Sequence, residues 1–164
     1  MSEAFIPGLR YQSRAQELWA LVVESFQGWE ERITEVAGAA GLSPVSAWAL
    51  VQLDPDHPVS QKELAARLKC NPSTVVDPTD RLEEADLVLR TANPADRRVN
   101  VLVVTAAGKK VREELIERLL EPPASFHQLS GREHDRFRAV LLAAATGAEP
   151  AAPGPHRTRR SAQN

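Results

Sequence analysis

Apolar positions follow more than one period along this chain. From Arg14 to Ala40 they recur at alternating spacings of four and three: Ala15, Trp19, Val22, Phe26, Trp29, Ile33, Val36 and Ala40. That spacing predicts one long helix packed along its whole length, and Leu18, Leu21 and Val23 widen the stripe beyond a single face. So broad a stripe needs cover on more than one side, from the protein's own core or from a second subunit. Gly41 ends the helix. Ser43 and Pro44 then start another as N-cap and first residue, with Val45, Trp48, Ala49, Val51 and Leu53 carrying it to the turn Asp54-Pro55-Asp56-His57-Pro58.

The helical period continues beyond that turn and then switches. Ser60 and Glu63 form a capping box, followed by Leu64, Ala65 and Leu68 on one face. Asn71 and Pro72 open the next helix, whose inner stripe is Val75, Thr79 and Leu82, leaving Ser73, Thr74 and Asp77 facing outward. After Asp86 the runs Leu87–Arg90 and Val99–Val104 are rich in β-branched residues, and the joining segment Thr91–Arg98 has hairpin-turn chemistry. Thr105 caps a helix to about Leu120, with Val111, Leu115 and Leu119 inward, and Glu121-Pro122-Pro123 stops it. A second capping box, Ser130 with Glu133, opens a last amphipathic helix bearing Phe137, Val140, Leu141 and Ala144. The order helix, tight turn, helix, hairpin is the outline of a winged helix-turn-helix. Such a unit lays its second helix in the DNA major groove and reaches sideways with the wing.

The motifs of this stretch, in their order and spacing, resemble those of the MarR family of bacterial transcription regulators. They are Glu63-Leu64-Ala65, Pro72-Ser73-Thr74-Val75, Asp80-Arg81-Leu82-Glu83, Leu87-Val88, Asp96-Arg97-Arg98 and Val104-Thr105, within a similarity running from roughly Arg14 to Thr146. The resemblance implies a mainly α fold with a small β-hairpin, a winged helix-turn-helix flanked by N- and C-terminal dimerisation helices. Residues 1–13 would be an arm and 14–146 the domain, with 42–105 as DNA-reading unit and 14–41 and 106–146 as dimerisation helices. It also implies a ligand-responsive repressor, with double-stranded DNA, a second copy of the chain and a small-molecule effector as partners. The tail 147–164, rich in Ala, Pro and Gly and ending in His156-Arg157-Thr158-Arg159-Arg160, reads as disordered because it offers nothing to bury.

Candidate DNA contacts are Ser73, Thr74, Val76, Asp77 and Arg81 on the second helix, and Asn93, Arg97 and Arg98 on the wing. By resemblance Asp96 braces Arg98, leaving Arg97 freer to reach phosphate or the minor groove. Trp19, Phe26, Trp29 and Trp48 are candidates to line an effector pocket between the long helix and the winged unit, and are otherwise ordinary core aromatics. The second helix departs from the family pattern at Val76-Asp77-Pro78-Thr79. Proline in a helix interior costs roughly 3 kcal/mol. Alternatively the helix kinks or restarts at Asp77, where Asp and Pro suit an N-cap and a first turn. Between Asn71 and Asp86 the acids Asp77, Asp80, Glu83, Glu84 and Asp86 face Arg81 alone, an unfavourable balance for phosphate. Either the operator is unusual, or the scaffold has lost ordinary DNA binding and serves as a small-molecule binding protein or an enzyme.

Composition narrows this picture. In 164 residues the formal net charge is −2, so DNA affinity must come from local placement of arginines. A single cysteine, Cys70, excludes an intrachain disulfide and fits a reducing cytoplasm; at the corner between the two reading helices it reads as a small apolar residue rather than a thiol sensor. There is no signal-like N-terminus and no apolar run of about 20 residues, so a soluble cytoplasmic protein without membrane partners is expected. Nucleotide-loop, G-x-S-x-G and H-E-x-x-H motifs are absent. His57, His127, His134 and His156 are scattered without ligand spacing. No enzyme, cofactor or metal site is expected.

Overall fold

The segment expected as one helix from Arg14 to Ala40 forms two, α1 (Arg14–Ser25) and α2 (Trp29–Ala39), in a computed structural model that describes residues 8, 10–26, 28–94 and 96–147. Gly28, a poor helix residue, stands at the N-cap of α2. The Ser25 hydroxyl donates to the Val22 carbonyl at 2.6 Å, and the Phe26 N–H bonds back to Val23, closing the end of α1. The apolar period runs straight through the break. Spacing reports which face is apolar, not whether the backbone is continuous. The seam is split in its environment too. Val36 is buried and Trp29 and Ile33 pack on the core, whereas α1 has no buried residue. Trp19 and Phe26 are 61% and 64% exposed.

At the end of α2, Gly41 takes a left-handed φ of +70° and the Leu42 N–H returns to the Ala37 carbonyl at 2.9 Å. Helix α3 (Pro44–Gln52) follows, capped by Ser43, whose hydroxyl accepts from the Ser46 N–H. A two-residue strand β1 (Val59–Ser60) precedes α4 (Gln61–Arg67). The sequence reading places no strand there, only a turn ending at Pro58 and the helix cap at Ser60, since two residues show no period. The capping box of α4 forms in both directions between Ser60 and Glu63. Pro72–Val75 make a 3₁₀ turn leading directly into α5 (Val76–Glu84). The hairpin is β2 (Val88–Ala92) and β3 (Asn100–Val104), paired antiparallel with Arg90 opposite Leu102, and β1 joins the far side of β3. Thr91 and Ala92, read as turn, belong to β2; Val99, read as strand, closes the tip instead.

Helix α6 (Ala106–Leu119) leaves the sheet at a tight corner. Thr105 caps it by accepting from the Gly108 N–H at 2.9 Å and donates to the Asp86 carbonyl at 2.7 Å. A Cβ on Gly108 would lie 2.0 Å from the Leu87 carbonyl oxygen, so only glycine fits. Leu50, Leu53, Leu64, Leu82, Leu102 and Leu115 are the largest fully buried side chains of the core, to which α2–α6 and the sheet contribute.

The chain divides into two compact units between Glu121 and Pro122. In the second, a short helix α7 (Ala124–His127) precedes α8 (Gly131–Thr146). Ser130 and Glu133 form the expected capping box, and Phe126 meets Phe137 edge-on at 5.7 Å. Ala143, rather than Ala144, is the buried residue of α8, while Val140, Leu141 and Leu142 are exposed. The expected arm falls mostly outside the described residues, as does the tail beyond Gly147 with its arginine cluster.

Candidate DNA-binding interface

Cys70 and Asn71 turn the chain between α4 and the 3₁₀ turn, helped by a left-handed Lys69 (φ +54°). Pro72 is the first residue of that turn, and Asn71 caps it through its carbonyl, accepting from the Thr74 N–H at 2.9 Å, not through its side chain. The helix restarts at Val76, one residue before the alternative start at Asp77. Pro78 is therefore the third residue of α5, in the first turn, where N–H groups have no intrahelical partner. The interior-helix penalty does not apply, and the buried ring packs beside Thr79 and Leu82 on the inner face. Val75, Thr79 and Leu82 are buried as the period requires, and Ser73, Thr74, Val76, Asp77 and Arg81 are exposed.

Beside this face stands the wing. Its tip is closed by three backbone bonds: Asn93 N–H to Val99 at 2.8 Å, Asp96 N–H to Asn93 at 3.2 Å and Val99 N–H to Asp96 at 3.0 Å. One carboxylate oxygen of Asp96 accepts from both the backbone N–H and the Nε of Arg98, at 3.1 and 3.2 Å. Arg97 is exposed, and among the described residues no ion pair holds it.

The acidic balance of the reading helix changes once side chains are placed. Asp80 and Glu83 are both paired with Arg90 on β2. Arg90 also donates to the Thr79 hydroxyl at 2.8 Å. That hydroxyl donates in turn to the Val75 carbonyl at 2.8 Å and accepts from Gln61 Nε2 at 2.6 Å. Two acids counted against phosphate are thus turned to the wing's own arginine. Asp77 accepts from Arg81 Nε at 3.0 Å, an exposed pair whose hydrogen bond raises the Arg81 pKa. Gln61, Thr79 and Arg90 escape a reading of the sequence for DNA contacts because none faces outward. The available signal was an arginine directly after the apolar run Leu87–Leu89, with acids three apart on the preceding helix.

The four aromatics proposed for an effector pocket do not converge. Trp29 and Trp48 meet edge-on at 6.1 Å, while Trp19 and Phe26 lie exposed on α1 and beyond its end. Only Trp48 of the four lines an open, mainly apolar groove of about 290 Å³, shared with Ile33, Pro44, Val45, Leu68, Cys70, Thr74 and Val75. The groove lies between Ile33 of α2 and the winged unit, and its wall at Thr74 and Val75 faces the start of the reading helix. Among the described residues no three His, Cys, Asp or Glu side chains group to hold a metal, and no helix is long and apolar enough to cross a membrane.

Comparison with known proteins agrees with this geometry. Residues 42–99 match the model of the MarR family. The chain is 33% identical over 91 residues to the HTH-type transcriptional repressor MdtR of Bacillus subtilis, an alignment covering 56% of this chain and 59% of the relative. It is 35% identical over 93 residues to the uncharacterised HTH-type transcriptional regulator YxaD of the same organism, covering 56% and 65%. The matches thus span about six tenths of these relatives' lengths. The crystal structure of the YusO protein from Bacillus subtilis superposes with a TM-score of 0.64 at 26% identity, covering 85% of this chain and all of that one. With the second helix, wing and capping residues in place, residues 42–99 of this protein form a winged helix-turn-helix that matches the model of the MarR family.

Proposed function

We propose that this protein is a transcriptional repressor that binds double-stranded DNA as a homodimer and releases it when a small molecule binds. The observation that carries the reading is the joint exposure of Ser73 and Thr74 on the 3₁₀ turn, Val76 at the start of the reading helix and Arg97 on the wing, within the stretch that matches the MarR family model. Hydroxyls and an apolar side chain suit base edges and thymine methyls, while the wing arginine suits phosphate or the minor groove. Asn93 shapes the wing tip, and Asp96 pairs with the exposed Arg98, while among the described residues no ion pair engages Arg97.

The homodimer rests on α1. Leu18, Trp19, Leu21, Val23 and Phe26 are all exposed, and a monomer rarely leaves so large an apolar face in water. Two copies would set their reading helices about one DNA turn, ~34–36 Å, apart. The effector reading rests on the groove at Trp48, whose walls include Thr74 and Val75 of the 3₁₀ turn. A ligand there would push on the start of the reading helix. A mobility-shift assay with DNA flanking the protein's own gene tests the proposal. A retarded complex that dissolves with added salt is expected, and no shift at micromolar protein in low salt would defeat it.

A further inference from the structure

Arg90 does more than neutralise two acids. Its side chain is 23% exposed and its guanidinium spans three groups on one face of α5: Glu83, Asp80 and the Thr79 hydroxyl. Its own backbone N–H also donates to Glu83, at 3.3 Å. Through Thr79 the same cluster reaches Gln61 at the start of α4. One residue of the wing strand therefore grips both helices of the helix-turn-helix. The grip is directional, since a planar fork fixes the rotation and the axial position of α5, which a point charge would not. Three residues further along the chain, Asn93 begins the hydrogen-bonded wing tip that carries Arg97.

We propose that Arg90 is a positioning residue that sets the reading helix against the wing, so that the two meet DNA in a fixed register. The inference rests on the DNA-binding reading above for its consequence, but not for its geometry. With the fork in place, Ser73 and Thr74 on the 3₁₀ turn that leads into α5 and Arg97 on the wing behave as one rigid contact surface. Without it, each contact has to be ordered separately on DNA.

The test uses the full chain with Arg90→Lys, which keeps the charge and loses the fork, and Glu83→Gln, which removes one acceptor and leaves Arg90 intact. Two readouts are needed. In the free protein, residual dipolar couplings from α5 and from the β2–β3 hairpin fit one alignment tensor in the wild type and require two in Arg90→Lys. On DNA, a double-mutant cycle between Thr74→Ala and Arg97→Ala gives a coupling in the wild-type background that disappears in Arg90→Lys, whose affinity falls roughly tenfold or more. Glu83→Gln should show both effects in weaker form. Folded Arg90→Lys protein with a single tensor and undiminished coupling overturns the proposal, as does a uniform loss of melting temperature that leaves the coupling intact. If the wild type binds no DNA, the functional reading falls while the dipolar couplings still decide whether Arg90 fixes the helix.

Discussion

At the scale of single residues, identity mattered less than partner. Asp80 and Glu83 look repulsive to phosphate in the sequence, yet Arg90 takes both. Asp77 holds Arg81 instead, and its hydrogen bond, then its charge, raise the Arg81 pKa. Replacing Asp77 by Asn should free Arg81 for phosphate and tighten DNA binding by roughly threefold to tenfold, steepening the salt dependence, with the melting temperature unchanged, since exposed pairs contribute little. Unaltered binding would show that Arg81 does not reach DNA. Pro78 is the residue that most changes meaning between sequence and structure. Judged by helix spacing it sits in an interior; judged by its backbone it sits in a first turn. Pro78→Ala should therefore lower stability by about 0.5–1 kcal/mol in urea denaturation, through greater freedom of the unfolded chain, together with some lost packing. A gain in stability would show that the ring strains the helix.

Among the elements, caps were legible and continuity was not. Ser43, Ser60, Thr105 and Ser130 all cap the helices that their sequence context indicates, because a cap is a local pattern of a few residues. The break between α1 and α2 and the strand β1 depend on a glycine, a back-bonded serine and a pairing across more than 40 residues of chain. No local period encodes these. The capping boxes also predict an acid response. Hydrogen bonds from Ser60 depress the Glu63 pKa, and those from Ser130 depress that of Glu133. A carboxylate whose folded-state pKa lies below its unfolded value adds stability that is complete above the ordinary glutamate range. That stability is lost as pH falls through the depressed value. Glu63→Gln should thus flatten the acid limb of the stability–pH curve and leave the neutral plateau with only a small loss; an identical acid limb would remove the box from the account. At the corner before α6, Gly108→Ala should cost about 1–3 kcal/mol or more, because the contact at 2.0 Å is with backbone that cannot swing away.

For the whole molecule, the winged helix-turn-helix was readable because its motifs are short, ordered and each tied to a backbone need. The pocket was not, since lining depends on which aromatics converge. Trp48 lines the groove with Trp29 behind it, while Trp19 and Phe26 belong to the exposed face of α1. That face predicts self-association: sedimentation of the full chain should give a dimer at micromolar concentration, and replacing Trp19 and Phe26 by polar residues should shift it toward monomer. A well-folded wild-type monomer would leave the two-headed reading geometry without a basis. The central claim, that the exposed reading helix and wing bind DNA together, is tested most directly by the salt dependence of binding to the DNA flanking the protein's own gene. Measured for the wild type and for Arg97→Ala, the slope of log affinity against log salt should fall by about one for each phosphate contact the wing loses, with weaker binding throughout. Equal slopes and equal affinities would contradict the account.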